Sequence, residues 1–90
     1  MANWGLEFRD EARDELRRLD RTTAQRVLNK LRWLCENFDV IAPEPLTGPL
    51  SGCYKLRVGS YRVIYAVDRQ RRVIVVIAVG HRRVIYEEVE

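Results

Sequence analysis

The stretch CYKLRVGSYRVIY, residues 53–65, decides how this chain folds. Two apolar alternating runs meet at Gly59-Ser60, and a two-residue loop with glycine first suits a type II′ hairpin turn. With those residues as the loop, Val58 faces Tyr61, Arg57 faces Arg62, Leu56 faces Val63 and Lys55 faces Ile64. Strand side chains alternate, so Tyr54, Leu56, Val58, Tyr61, Val63, Tyr65 and Val67 make one apolar wall. The other face receives Cys53, Lys55, Arg57, Arg62, Ile64 and Ala66, which brings three cations together.

Like charges directly opposite on a sheet repel. At about 6 Å the repulsion is on the order of 0.7 kcal/mol in water and roughly 3 kcal/mol at an effective dielectric of 20. The hairpin offers no carboxylate of its own, so a bound phosphate would turn that cost into attraction. The alternatives are cations splayed into solvent or paired with an acidic partner.

Downstream, VIVVIAV at 73–79 is apolar on both faces, as a central strand covered on both sides must be. Upstream, residues 39–52 carry three prolines and two glycines and read as a connecting loop without regular structure. Before it, Ala24, Val27, Leu28, Leu31, Leu34, Cys35 and Phe38 recur with the helical period, behind a capping-box pattern at Thr22-x-x-Gln25. A first helix, capped by Asp10, runs to about Leu19, and a short strand covers about Trp4 to Phe8. Helices early and strands late predict an α+β fold in the order β-α-α-β-β-β. An N-terminal strand leads into an antiparallel helical hairpin, which packs on one face of a three-strand antiparallel meander. Residues 1–90 read as a single domain.

Composition narrows the function. Residues 1–45 hold eight Lys/Arg against nine Asp/Glu, whereas residues 46–86 hold eight against Asp68 alone. Such asymmetry points to a polyanionic partner, nucleic acid above all. No run approaches the ~20 apolar residues of a membrane span, and MANWGLEFRD has charges where a signal peptide would be apolar, so a cytoplasmic protein without membrane contact is expected. Cys35 and Cys53 have neither the number nor the spacing of a zinc site or disulfide framework and read as reduced core residues.

The central strand ends in GHRRVIYEE, residues 80–88, where His81, Arg82, Arg83 and Tyr86 are able to hold phosphate, transfer protons or stack on a base. A lone His beside arginines is more often a surface group, but its place at the end of the strand that pairs with the hairpin favours a functional reading. The sequence has no metal-ligand cluster and no GxxxxGK[ST] phosphate loop. Chemistry would fall to Lys, Arg, His and Tyr, with no cofactor.

With those residues laid out, the chain resembles the RelE/ParE superfamily of type II toxins. The resemblance rests on L-x-G at 46–48, G-x-Y-K-L-R-V-G-x-Y-R-V-I-Y at 52–65 and G-H-R-R-x-x-Y at 80–86. In the RelE branch it implies an mRNA interferase that cleaves a codon in the ribosomal A site without metal, by attack of a ribose 2′-OH on its own 3′ phosphate. The products are a 2′,3′-cyclic phosphate and a 5′-OH.

The family's strand basic residues match Lys55 and Arg57, its transition-state arginine matches Arg62, and its later arginine and C-terminal tyrosine match Arg82 and Tyr86. Lys55 would help deprotonate the 2′-OH, Arg62 and Arg57 would stabilise the phosphorane, Tyr86 would orient the hydroxyl or stack, and Arg82 or His81 would assist the departing oxygen, with Arg83 adding an RNA contact. Some relatives use a Glu base with a C-terminal His, and the sequence offers no clear Glu for that part.

The resemblance also implies a RelB-like or other type II antitoxin, with ribosome and mRNA as targets and operator DNA reached only through the antitoxin, since neither helix reads as basic on one face. The alternative within the superfamily is a ParE-like toxin that poisons DNA gyrase without catalysis.

Overall fold

The computed structural model describes residues 3–81. Five strands form one mixed sheet, in the spatial order β1 (Gly5–Phe8), β5 (Val73–His81), β4 (Tyr61–Asp68), β3 (Tyr54–Val58), β2 (Glu44–Pro45). The antiparallel meander is as read, and β5 is an interior strand between β1 and β4. Two features lie beyond the sequence reading. β1 joins the sheet parallel to β5, with Gly5 opposite Val73 and Phe8 opposite Val76. The proline-rich segment also contributes structure, because β2 pairs Glu44 with Lys55 and Pro45 with Tyr54 before a 3-10 turn at Gly48–Leu50. Proline lacks a backbone N–H, and an edge strand is where a sheet tolerates that lack.

Helices α1 (Asp10–Arg17) and α2 (Arg21–Asn37) form the hairpin. The cap of α2 is Asp20 rather than Thr22: its carboxylate accepts from the Thr23 amide at 3.1 Å and from the Thr23 hydroxyl at 2.6 Å, so the helix begins a turn-fraction earlier. Its apolar stripe supplies Val27, Leu31, Leu34, Cys35 and Phe38 to the core, where they meet Leu56, Val63, Tyr65, Ile74, Val76 and Val79 from the sheet. Cys35 is buried as expected and burial raises its thiol pKa, whereas Cys53 is only half-buried. An aromatic run ties helix end to sheet: Trp4 meets Phe38 edge-on at 4.9 Å, Phe38 meets Tyr65 at 6.3 Å, and Tyr65 stacks on Tyr54 at 5.6 Å.

One irregularity positions everything downstream. Tyr65 pairs with Val76 but Ile64 pairs with Ala78, so Ile77 is an extra, unpaired residue on β5. Such a bulge inverts the alternation beyond it. Val76 and Val79 therefore both face the helices, although three positions apart. Past Phe8 the outer edge of β5 has lost its strand partner, and the Glu15 carboxylate of α1 fills in by accepting from the Val79 amide at 2.9 Å.

Candidate functional site

The hairpin register is the one read from the sequence: Val58 opposite Tyr61, Arg57 opposite Arg62, Lys55 opposite Ile64. Gly59 has φ +59, the left-handed backbone that a II′ turn requires at its first loop position. Lys55, Arg57 and Arg62 accordingly belong to the sheet face turned away from the helices.

Their surroundings differ from the expectation. Glu44 of β2 lies against the basic strand, its Oε2 3.2 Å from Lys55 Nζ and 3.0 Å from Arg57 Nη2. Arg57, and then Lys55, hold the Glu44 carboxyl below the usual carboxylate range. The missing counter-charge of the hairpin is thus supplied by the segment read as loop. The sequence signal for it was an acid in Pro-Glu-Pro, polar and extended, with no alternation to mark a strand.

Arg62 is only 7% exposed, and Ile64 beside it is buried. Its Nη1 donates to the backbone carbonyls of Gly59 and Tyr61, both at 2.8 Å, folding the side chain back over its own turn. Among the described residues its Nε has no hydrogen-bond partner. A buried guanidinium with an orphan donor is costly unless something anionic meets it. Across the ladder stand Gly80 opposite Arg62 and Ala78 opposite Ile64, so no bulky side chain from β5 occupies this face there.

His81 does not join the cations. It pairs with Tyr61, whose ring it meets edge-on at 5.6 Å, on the face that carries Val63 and Tyr65. The bulge at Ile77 is the cause, since unbroken alternation from Val76 would have sent His81 to the other side. The register thus sets His81 on the sheet face opposite Arg62. Arg82, Arg83 and Tyr86 lie outside the described residues.

A second basic surface was missed. Arg26, Asn29, Lys30 and Trp33 follow one another along a single face of α2 and, with Arg57 and Gly59, line a groove of about 470 Å³ beside the hairpin tip. The expectation that neither helix is basic on one face fails here, because Arg26 and Lys30 stand four residues apart on one face of α2.

Residues 6–86 match the family profile of the ParE toxin of type II toxin-antitoxin systems, parDE. The chain belongs to the ParE toxin family. That family lies in the RelE/ParE superfamily, so the protein is a type II toxin. A putative RelE-like toxin protein of Escherichia coli is 33% identical over 79 residues, which cover 86% of this chain and 81% of the relative. Among solved structures, the toxin-antitoxin complex RelBE2 from Mycobacterium tuberculosis superposes with a TM-score of 0.80 at 26% identity, covering 91% of this chain and 94% of that one. A free mutant of the Escherichia coli toxin RelE gives 0.78 at 29% identity over 98% and 95%. The intact Escherichia coli RelBE toxin-antitoxin complex gives 0.73 at 31% over 87% and 95%. The ParE-family chain therefore has the RelE-like α+β fold, two helices on a five-stranded mixed sheet. Among its described residues no helix is long and apolar enough to cross a membrane.

Proposed function

We propose that this toxin is a ribosome-dependent endoribonuclease that cleaves mRNA in the A site without a cofactor. The observation that carries the reading is one sheet face with a carboxylate touching two cations and, across the ladder, a buried guanidinium whose Nε has no partner among the described residues. That set matches the needs of cleavage by the ribose 2′-OH. The O2′–P bond forms, the P–O5′ bond breaks, and the 2′ proton must go to a base while the phosphorane gathers negative charge.

Arg62 and Arg57 supply fixed positive charge to the phosphorane, a contribution whose loss typically lowers a rate ~10²–10³-fold. For the base, Glu44 displaces Lys55. Glu44 is the carboxylate within 3.2 Å of Lys55 Nζ and 3.0 Å of Arg57 Nη2, and so stands where both cations would grip the phosphate. The Arg57–Glu44 pair is largely solvent-exposed and so worth only about 0–1 kcal/mol, little enough for an entering phosphodiester to share or displace, whereas Lys55 in the other pair is mostly buried. Arg82 and Tyr86 are retained from the resemblance as the groups for the departing 5′ oxygen and for stacking, with Arg83 as an RNA contact. A RelB-like antitoxin as partner, and operator DNA reached through it, belong to the same reading; solved relatives are complexes of that kind.

A second reading has a specific observation in its favour: the matching family profile is that of ParE, and ParE-like toxins poison DNA gyrase without catalysis. Purified toxin added in parallel to a translating extract and to a gyrase supercoiling reaction separates the two. The endoribonuclease reading expects clustered cuts within codons of the translated message and undisturbed supercoiling. Blocked supercoiling with an intact message would establish the other.

A further inference from the structure

The groove on the helix side of the hairpin tip has three properties that belong together. It is basic: Arg26, Lys30 and Arg57 line it, and among the described lining residues there is no Asp or Glu. It carries an aromatic platform, since Trp33 is 40% exposed, unusual for a large apolar side chain, with Lys30 Nζ 4.0 Å from the ring centroid. It is also continuous with the cradle, because a neighbouring depression of about 270 Å³ shares Lys30, Trp33 and Arg57 with it and reaches Glu44 and Lys55.

The continuity has a simple origin. β2 pairs only with Tyr54 and Lys55, so Arg57 stands on the open part of the β3 edge, where one side chain can border both faces of the sheet. Gly59 keeps the far end open, since a Cβ there would lie 3.3 Å from Arg26 Nη2.

We infer that this groove binds single-stranded RNA, holding nucleotides that flank the linkage seated in the cradle. Basic grooves with an exposed aromatic ring are how proteins hold unpaired strands: phosphates track the cations and a base stacks on the ring. Lys30 already covers one face of Trp33, so the base takes the other face, and Lys30 is left to reach its phosphate. Duplex DNA fits poorly, because its bases are stacked on one another and cannot open onto the indole. An acidic peptide would satisfy the cations but would leave Trp33 without a stacking partner. The inference rests on the RNA reading of the cradle.

The test uses the full-length toxin and a fluorescein-labelled 12-nucleotide oligouridine at low salt. Trp33 is the exposed tryptophan and Trp4 is buried, so stacking should quench the indole emission. Trp33→Ala should weaken binding roughly 5- to 150-fold. The doubly substituted Arg26→Ala, Lys30→Ala protein should show a salt slope lower by about 0.7 per lost phosphate contact. Both changes introduce alanine into a helix, and circular dichroism with thermal melting confirms that each variant is folded.

Duplex DNA competing as well as oligouridine would overturn the assignment. So would folded variants that bind oligouridine like wild type, or ones that lose affinity for an acidic antitoxin peptide alone. Arg62→Ala reports separately on the cradle. If it fails to reduce message cutting while the groove variants still lose oligouridine, the nuclease reading falls and the groove stands. If Arg62→Ala abolishes cutting and the groove variants bind normally, only the groove falls.

Discussion

Two residues carry most of the chemistry proposed. Arg62 is a guanidinium at 7% exposure, its Nη1 donating to two backbone carbonyls and its Nε unpaired among the described residues. Replacing such a group by an apolar one of similar length removes the desolvation cost along with the charge. Arg62→Met is therefore expected to lose no more than about 1 kcal/mol of stability in urea unfolding while losing function, the signature of a residue kept for activity. A large destabilisation would mean that Arg62 is a structural group. Glu44 behaves in the opposite way. Glu44→Gln should lower cutting by roughly 10²–10⁴, the usual range for a lost general base. Because Arg57 and Lys55 depress the folded-state pKa of Glu44 below its ordinary value of 4.5, the carboxylate stabilises the fold above that value and ceases to do so as pH falls through the depressed one. The stability difference between wild type and Glu44→Gln should be constant above about pH 5 and vanish in stronger acid, as urea titrations across pH can show.

At the scale of elements, what could be read and what could not divides along a physical line. The hairpin register, the apolar stripe of α2 and the interior place of β5 follow from local alternation, periodicity and a continuous apolar run, which the sequence displays directly. The misses are long-range. The pairing of β1 with β5 joins Gly5 to Val73, and nothing near either residue marks a parallel partner. β2 is two residues long, too short to show a period, yet it delivers the acid that faces the basic strand. The bulge at Ile77 is invisible within VIVVIAV, where every residue is apolar, and it alone moves His81 to the helix side. Glu15 belongs with these misses, as an apparently solvated helix residue that accepts from the Val79 amide on the open edge of β5. Glu15→Ala leaves that donor part-buried without its partner and should cost about 1–3 kcal/mol, read as a lowered midpoint in urea, whereas Glu15→Gln, which keeps an acceptor oxygen, should recover most of the loss. Equal losses in both variants would show that the carboxylate charge, not the acceptor, matters.

Over the whole molecule, the helical hairpin and the sheet enclose one aromatic and aliphatic core, and the chemistry proposed is laid on the face opposite. Tyr65 is the clearest probe of that core: burial, with Tyr54 second, pushes its pKa up to about 12. A folded-state pKa above the unfolded value of 10.0 means the protonated phenol stabilises the fold below that pH, and the contribution is lost as pH rises towards about 12. Tyr65→Phe should flatten the alkaline limb of the stability curve over that interval, and an unchanged limb would place the alkaline sensitivity elsewhere. The opposite face is tested most directly by primer extension on a translated message, with wild type beside Arg62→Ala and antitoxin binding measured on both. Wild-type cuts within codons that end in a 2′,3′-cyclic phosphate, absent from an Arg62→Ala protein that still binds antitoxin, are the predicted result. Cuts of undiminished strength from Arg62→Ala, or none from wild type, would contradict it.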